Sequence, residues 1–354
     1  MRIGMECGRI SNEKCQEKKG TERKVMEKIG KVQEAEKRRV CRIGDFTLAL
    51  VLPEGLELPE TVRKFEIDRE SIESTEQAGR KDTQPGKDKA AEVTTAEAAV
   101  QAIADYTYRI YAADNLPIPE GGRIQKHPDL EVYRSGMLES RLLGIKGREG
   151  FYALYQEKGE NFAEVYLRKE WLDQMHHEVI FVSLLALERR FAKRGGLILH
   201  CAYLEYEGKA ILFSAPSGTG KSTQAELWRQ YRNGNVVNGD RALLMQKEGR
   251  FMAMGWPVCG TSGICENKEL PVGAIVLLSQ AKQNEVVRKK AAEAFVSLYG
   301  EITVNRWNKE SLLQMIKQLE ELLQTVPVYH LKCDISQLAV ECLYQEMKKD
   351  QVIF

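Results

Sequence analysis

Ala215-Pro-Ser-Gly-Thr-Gly-Lys221-Ser222 is the stretch of this chain that decides its fold. It matches the pattern of a loop that wraps a phosphate group, with Ala where the first Gly usually stands. The apolar run Lys209-Ala-Ile-Leu-Phe-Ser214 precedes it and predicts a buried strand, and residues Lys221 to Arg232 predict a helix. A strand, a small-residue loop and a helix in this order are the context that such a motif requires. The alternative is a glycine-rich turn that binds no nucleotide.

The residue types in this loop suit a nucleoside triphosphate. Small residues let backbone N–H groups turn inward around phosphate oxygens, at a helix N-terminus whose dipole favours anions. Lys221 would reach the β- and γ-phosphates, and the Ser222 hydroxyl would bind Mg²⁺. We therefore predict that the chain binds ATP with Mg²⁺. The predicted contacts are Ser217, Gly218, Thr219, Gly220, Lys221, Ser222 and Thr223.

The composition of the chain excludes several classes of protein. The chain has 354 residues, enough for two domains with cores, and a net charge of +1 that indicates no nucleic-acid footprint. It contains no apolar run of membrane-spanning length and no secretory signal at its start. The eight cysteines are scattered and are expected to be reduced thiols. We therefore predict a cytoplasmic protein that binds neither nucleic acid nor membrane.

The N-terminal half has the pattern of a β-rich unit behind a charged arm. Residues 1–40 are dense in Lys, Glu and Arg and predict a solvated helix or a disordered arm, and residues 71–99 predict a flexible insertion. Between residues 41 and 170, short apolar runs separated by turn residues predict a small, mostly antiparallel β domain. The predicted strands are Phe46–Val51, Val62–Ile67, Tyr106–Tyr111, Leu130–Ser135, Leu142–Ile145, Gly150–Tyr155 and Phe162–Leu167. This domain is expected to be a scaffold or a substrate-docking module.

Residues 171–354 predict an α/β (α+β) domain built around the phosphate loop. Leu172 to Arg194 have helical spacing and end at Gly195-Gly196. Two hairpins are predicted, with turns at Glu207-Gly208 and Glu248-Gly249. The remaining elements are a strand at 273–279, helices at about 288–299 and 309–325, a strand at 326–332 and a helix at 335–349.

Three side chains near the loop are candidates for chemistry. Asp240 ends the short strand after the loop helix, where its carboxylate would face Mg²⁺ bound by Ser222; the alternative is a turn aspartate. Arg241 would neutralise phosphate charge or pair with an acidic neighbour. His200 lies on the strand that forms a hairpin with the strand entering the loop. A lone histidine on a strand is more often a core residue, so its spacing alone favours a structural role.

Part of the chain resembles the catalytic domain of the HPr serine kinase family, which is related to phosphoenolpyruvate carboxykinases. The resemblance lies in the stretch from Leu199 to Ser222 and in Val236-Val-Asn-Gly-Asp-Arg241. The resemblance implies a P-loop kinase domain with a mixed sheet. It also implies that His200 and Asp240 surround the γ-phosphate, with an aspartate as base on a serine hydroxyl. By position, Lys221 and Ser222 would contact phosphate and Mg²⁺, and Asp240 would share the metal. Residues 260–267 are similar to the family's glycine-containing active-site loop.

The chain departs from this family at two positions. The family's kinases carry two adjacent aspartates before the Arg, whereas the first is Gly239 here, so Asp240 is the only acid of the pair. The acidic residue that follows the loop Ser in the family is Thr223 here. One carboxylate must then bind metal and accept a proton, or another group must take one role. Glu266 and Glu205 are the candidates that the sequence offers for this second role.

The overall layout is similar to HPr-kinase-like proteins encoded beside peptide-modification genes, some of which are thought to phosphorylate a serine in a ribosomally made peptide. We therefore expect an ATP-dependent kinase that acts on a hydroxyl, either a serine of a small protein or peptide or a small-molecule hydroxyl. The alternative is an ATP-binding accessory or regulatory protein of a biosynthetic cluster that transfers no phosphate. Carboxykinase activity is disfavoured, since no separate set of basic and metal-binding residues is recognised. The oligomeric state stays open.

Overall fold

The computed structural model describes residues 37–67 and 104–353. The predicted charged arm at residues 1–40 lies outside these residues except for its last four positions. The predicted insertion at residues 71–99 lies outside them entirely. Within the described ranges the chain forms a mixed α/β structure with two mixed sheets.

The first sheet has eight strands in the order β1-β2-β3-β8-β7-β6-β5-β4. The strands are β1 (Lys37–Ile43), β2 (Phe46–Leu52), β3 (Tyr106–Ala113), β4 (Gly122–His127), β5 (Leu130–Ser135), β6 (Leu138–Gly144), β7 (Phe151–Glu157) and β8 (Phe162–Arg168). β3 runs parallel to both β2 and β8, and the other neighbours are antiparallel. β2 is buried along its whole length, as its continuous apolar sequence predicts.

The predicted strand at Val62–Ile67 is wrong. This region contains the short helix α1 (Glu60–Arg63), and Glu66 makes one isolated bridge to Cys41. Val62 and Phe65 are both buried, with 4% and 1% of their surface exposed. Two apolar residues three positions apart lie on the same side of a helical turn, whereas in a strand they would face opposite sides. The helical spacing therefore describes this segment better than alternation does.

The predicted continuous helix from Leu172 to Arg194 is interrupted twice. The structure has a 3₁₀ helix (Lys169–His176), α2 (Glu178–Ser183) and α3 (Leu187–Lys193). The first break is at His177, whose backbone is extended. The second is at Ala186, which has a left-handed backbone with φ of 45° and is buried. Alanine rarely adopts this conformation, so tertiary packing must impose it.

The second sheet has nine strands, and its strand path runs β10-β9-β12-β13-β14-β17-β15. The strands are β9 (Leu197–Tyr206), β10 (Lys209–Ser214), β11 (Asn235–Asn238), β12 (Arg241–Lys247), β13 (Arg250–Met254), β14 (Glu269–Gln280), β15 (Glu285–Arg288), β16 (Ile302–Thr303) and β17 (Val328–Cys333). Both predicted hairpins, β9–β10 and β12–β13, are confirmed. β14 runs parallel to β10 and β17, which makes this sheet mixed.

Four helices cover the second sheet: α4 (Lys221–Arg232), α5 (Ala291–Tyr299), α6 (Lys309–Thr325) and α7 (Gln337–Lys349). Residues of α5 and α6 share one hydrophobic cluster with the sheet, and residues of α4 and α7 share another. α6 begins at a capped end, because the Asn308 side chain accepts hydrogen bonds from the backbone N–H groups of Glu310 and Ser311. The predicted helix at about 288–299 starts later than expected, since Arg288 belongs to β15.

The two sheets are joined by a shared hydrophobic cluster that includes residues of both. Phe191 on α3 contacts Phe46 of the first sheet, with ring centroids 5.2 Å apart. The same ring contacts Trp256, which follows β13 of the second sheet, at 5.7 Å. Edge-to-face aromatic contacts of this kind add about 0.5–1.5 kcal/mol each beyond the area they bury. Phe191 therefore lies at the centre of the packing between the sheets.

A buried network of charged side chains lies where α3 packs on the first sheet. Its members are Glu139, Arg141, Glu157, Arg189 and Arg190. Glu157 Oε1 accepts from Nε of Arg189 at 2.7 Å, and Arg190 also pairs with Glu157. Burial alone would raise the pKa of Glu139, but the guanidinium groups of Arg141 and Arg189 outweigh it and hold that pKa below its usual value. The Glu139 carboxylate is therefore ionised and paired with positive charge.

Among the residues that the structure describes, no helix is long and apolar enough to cross a membrane.

Glu157→Gln is expected to lower the free energy of unfolding by about 3–5 kcal/mol, because the buried Arg190 would lose the carboxylate it pairs with and Arg189 would keep only Glu139. Chemical denaturation followed by tryptophan fluorescence measures the loss. The control is Glu57→Gln, which removes the exposed partner of Lys37 and should change the stability little. Equal losses in the two variants would contradict a dominant role for the buried network.

Candidate functional site

Three distant chain segments meet at His200 on β9. The His200 backbone N–H donates to the carbonyl of Glu301 at 2.9 Å, and the His200 carbonyl accepts from the Ser214 hydroxyl at 2.9 Å. On the other side of the strand, the Cys201 N–H donates to the Asp240 carbonyl at 3.0 Å. These hydrogen bonds hold three segments around His200: the end of β10, the β11–β12 turn and the segment before β16.

The loop from Ala215 to Gly220 leaves the end of β10 and leads into α4. Gly218 and Gly220 have φ of 80° and 111°, which other residues rarely adopt, and a Cβ at either would meet no atom within 4 Å. The Thr219 hydroxyl donates to the Pro216 carbonyl at 2.8 Å and tightens the turn. Gly220 is the cap residue of α4 and offers no side chain to its first N–H groups. This helix end therefore suits an anionic ligand.

Lys221 is the first residue of α4 and is 8% exposed. Its Nζ donates to the carbonyl of Ala215 at 2.9 Å and lies 3.4 Å from that of Pro216. Burial lowers the pKa of Lys221 below its usual value, while the carboxylates of Glu301 and Asp240 act in the opposite direction. The ammonium group is therefore held inside the loop and within the field of two carboxylates.

Asp240 is positioned by the buried side chain of Asn238. Asn238 Oδ1 accepts from the backbone N–H groups of Asp240 and Arg241 at 2.8 and 2.9 Å. Its Nδ2 donates to the carbonyls of Trp256 and Val258. Ser222 Oγ donates to the Gly239 carbonyl at 3.2 Å, which ties the start of α4 to the residue before Asp240. Ser222 is therefore brought next to the residue that precedes Asp240.

His200 lies between two carboxylates. Its Nδ1 is 2.9 Å from Glu301 Oε2, and its Nε2 is 3.8 Å from Asp240 Oδ1. Because a carboxylate can only accept, the short contact places a proton on Nδ1 and leaves Nε2 facing Asp240. The three side chains are partly exposed, at 24% for His200, 23% for Asp240 and 15% for Glu301. The imidazole is thus oriented and reachable.

Of the two roles left open for Arg241, the structure shows pairing with an acidic neighbour. Arg241 Nε lies 3.0 Å from Asp240 Oδ2, and its Nη1 donates to the Thr303 hydroxyl at 2.8 Å. The Arg241 side chain remains one-third exposed. A phosphate group bound by the loop would still meet a positive charge beside Asp240.

Glu301 is the site residue that sequence reasoning missed. It lies 101 positions after His200, between α5 and β16, and belongs to no motif. The two acids suggested by the sequence lie elsewhere: Glu205 pairs with Lys268, and Glu266 accepts from Asn235 at 3.4 Å. Glu205 is five positions beyond His200 on the same strand, or about 16 Å away along it. Only knowledge of the strand pairing could have found Glu301.

Gly239 is packed too tightly to carry a side chain. A Cβ placed on it would lie 2.0 Å from the hydroxyl oxygen of Ser262. Ser262 is fixed in turn, since its hydroxyl donates to the Cys259 carbonyl at 2.7 Å and accepts from the Ile264 N–H at 3.1 Å. The loop at residues 260–267 therefore packs against Gly239, the first of the two departures described from the sequence. Thr223, the other departure, is exposed on the first turn of α4.

Within residues 37–67 and 104–353, no group of three or more His, Cys, Asp and Glu side chains is arranged to hold a metal ion. Mg²⁺ in phosphate-binding proteins is bound by one or two protein oxygens together with phosphate oxygens and water. The Ser222 hydroxyl and the Asp240 carboxylate are oxygens of this kind, and both residues are at least partly exposed.

Comparisons with known proteins match about half of the chain. The structure of the HPr(Ser) kinase/phosphatase from Coxiella burnetii matches 44% of this chain and 97% of its own, at 12% identity and a TM-score of 0.27. No curated protein matches the chain. The family model described as SynChlorMet cassette protein ScmC matches residues 167–348, which is just over half of the 354 residues. This match contains the loop, His200, Asp240 and Glu301, and the chain therefore belongs to the ScmC family.

Proposed function

We propose that this protein is an ATP-dependent kinase that transfers the γ-phosphate to a hydroxyl group. The observation that carries the proposal is the grouping of Lys221, Asp240 and the His200–Glu301 pair at the uncapped start of α4. Phosphoryl transfer needs a phosphate-binding loop, an acid for the metal and a group that accepts the hydroxyl proton. The grouping contains a candidate for each of these roles.

The loop and the first turn of α4 would hold the triphosphate. The backbone N–H groups from Ser217 to Thr223 would surround phosphate oxygens, and Lys221 would exchange its loop carbonyls for them. Ser222 and Asp240 would bind Mg²⁺, which neutralises charge that develops on the phosphate oxygens. Arg241 would add positive charge beside the transferred group.

The His200–Glu301 pair would take the role of the missing second acid. The acceptor oxygen forms a bond to the γ-phosphorus while the bond from that phosphorus to the oxygen bridging it to the β-phosphate breaks. His200 Nε2 would accept the proton that leaves the hydroxyl, and Glu301 would hold the imidazole through Nδ1. Asp240 could then remain on the metal. One carboxylate would no longer need to serve both functions.

The family name places the related proteins in a gene cassette, which supports a role in a biosynthetic cluster. We propose a serine of a peptide or small protein as the acceptor, with a small-molecule hydroxyl as the other candidate. We also propose that the protein is cytoplasmic and that it binds this acceptor directly. Neighbouring genes that encode a small precursor peptide would supply the first acceptor to test.

A second candidate function is an ATP-binding accessory protein that transfers no phosphate. The packing of Ser262 against Gly239 favours it, because the loop fills the space that a first acid would need. Both functions require that the protein binds ATP, but only the kinase transfers its γ-phosphate. Experiments must therefore measure both quantities in the same variants.

Asp240→Ala is expected to lower phosphate transfer or ATP turnover at least about a hundredfold while nucleotide binding remains measurable. Lys221→Ala should weaken both binding and turnover, because the lysine contacts phosphate in the ground state as well. Titration with a fluorescent ATP analogue and release of labelled phosphate measure the two quantities. Unaltered protein that binds ATP with Mg²⁺, yet transfers no phosphate to any candidate acceptor, would favour the accessory function.

Glu301→Gln is expected to lower turnover by about tenfold to a hundredfold with little change in nucleotide affinity, because the side chain acts on His200. The matched control is Glu293→Gln on α5, which removes the exposed partner of Lys289 and should leave turnover unchanged. A change in affinity without a change in turnover would assign Glu301 to nucleotide binding instead.

Gly239→Asp is expected to destabilise the protein by about 1–3 kcal/mol, since the new side chain must displace Ser262. The double variant Gly239→Asp with Ser262→Gly removes the obstructing hydroxyl group and should recover most of the loss. Thermal unfolding of the single and double variants measures the effect. A stable single variant would show that the loop moves freely away from Gly239.

A further inference from the structure

A cavity of about 280 Å³ lies between the first sheet and the helices α3 and α6. None of the residues assigned to the candidate site lines it. The polar and charged residues that line it include Arg134 of β5, Arg189 and Lys193 of α3, and Asn308, Glu310 and Ser311 at the start of α6. Three positive side chains thus face one acidic side chain.

The Arg134 guanidinium group carries an unsatisfied donor in this region. Its Nη2 is buried and has no hydrogen-bond partner in the part of the chain that the structure describes. Glu139 Oε2 lies 4.0 Å from that nitrogen, which is an ion-pair distance and too long for a hydrogen bond. A buried N–H group without an acceptor costs free energy, so a change of the Arg134 rotamer that brings this nitrogen to a ligand oxygen would be favoured. The side chain has room for such a change, since it is 36% exposed.

Charges of both signs surround Lys193, and those of Arg189 and Arg190 act on it more strongly than those of Glu160 and Glu310. Burial lowers the pKa of Lys193 below its usual value, and the nearby guanidinium groups of Arg189 and Arg190 lower it further. Arg189 cannot turn away, because it is held by Glu157 and by the Met137 carbonyl. An anion in the cavity would relieve the repulsion between Lys193 and these fixed charges.

The start of α6 contributes to the walls of the cavity and supplies few donors. The N–H groups of Glu310 and Ser311 already donate to the Asn308 side chain at 3.1 and 3.2 Å. The attraction for an anion therefore comes from the arginine and lysine side chains. The carboxylate of Glu310, which also lines the cavity, repels an anion and opposes its binding.

We propose that this cavity binds the oxyanion group of a small ligand, a carboxylate or a phosphate, through Arg134 and Lys193. The planar guanidinium group of Arg134 would donate to two oxygens of such a group, and Lys193 would act as a point charge. Arg189 would form the fixed positive wall behind them.

The cavity and the candidate site are connected by one short segment. Thr303, which accepts from Arg241, and Asn308, which lines the cavity, are five residues apart, so they lie at most about 18 Å from one another. Between them, Trp307 donates through Nε1 to Glu139 at 3.3 Å. A ligand in the cavity would therefore sit beside the segment that carries Glu301 and Thr303.

The test uses two probes, glutarate for the carboxylate and inorganic phosphate for the phosphate group. Binding is measured by isothermal titration and by the shift in Tm, with the full-length protein. Arg134→Ala and Lys193→Ala should each weaken binding of the effective probe about tenfold or more. The matched control is Arg250→Ala, an exposed arginine at the β12–β13 turn, which should change nothing. Circular dichroism of each variant, with Arg134→Gln as a milder change, separates lost binding from lost folding.

Phosphate can also bind at the loop, so each titration is repeated with Lys221→Ala. Binding that survives Lys221→Ala and falls with Arg134→Ala belongs to the cavity and supports the proposal. Glutarate binding of this kind identifies a carboxylate site, and phosphate binding identifies a phosphate site. The proposal is overturned if folded Arg134→Ala and Lys193→Ala proteins bind both probes as the unaltered protein does, or if neither probe binds at millimolar concentration.

Discussion

The backbone hydrogen bonds of β9 at His200 and Cys201 hold the candidate site together. Successive N–H groups of a strand point to opposite sides, so these two residues must find partners on both edges of β9. They find them in Glu301 on one side and Asp240 on the other. Because β10 ends at Ser214, the strand position next to His200 is left to the loop and to Glu301. The positions of His200, Asp240 and Glu301 thus follow from strand pairing.

Local sequence patterns predicted the parts of the structure that are local. The hairpin before the loop, the loop helix and the place of Asp240 follow from turn residues and apolar runs that are close in sequence. Glu301 could not be predicted, since it reaches His200 only through the pairing of β16 with β9. The break at Ala186 gave no signal either, because alanine favours helices and only packing forces it into a left-handed backbone. The misassigned strand at 62–67 has a different origin, because the three-residue spacing of Val62 and Phe65, which is helical, was read as a strand pattern.

Arg189 belongs to the buried charged network of the first sheet and also lines the cavity beside it. Removing charges from water is costly, and apolar residues of the same volume would often be at least as stable. The network is therefore not explained by stability alone. It fixes the guanidinium group of Arg189 in one position through Glu157 and the Met137 carbonyl, and this same group forms a wall of the cavity. Rigid charge at a cavity wall costs little reorganisation when a ligand arrives.

The contacts of Lys221 with its own loop favour ligands that carry phosphate over ligands that do not. Its ammonium group is already satisfied by the carbonyls of Ala215 and Pro216, so binding is an exchange of acceptors and not the capture of a free charge. Phosphate oxygens carry full negative charge and can compete with neutral carbonyls. A nucleoside without phosphates offers Lys221 nothing in return and leaves the loop as it is. If the loop binds a nucleotide as proposed, its phosphate chain is therefore the part that must displace the loop carbonyls from Lys221.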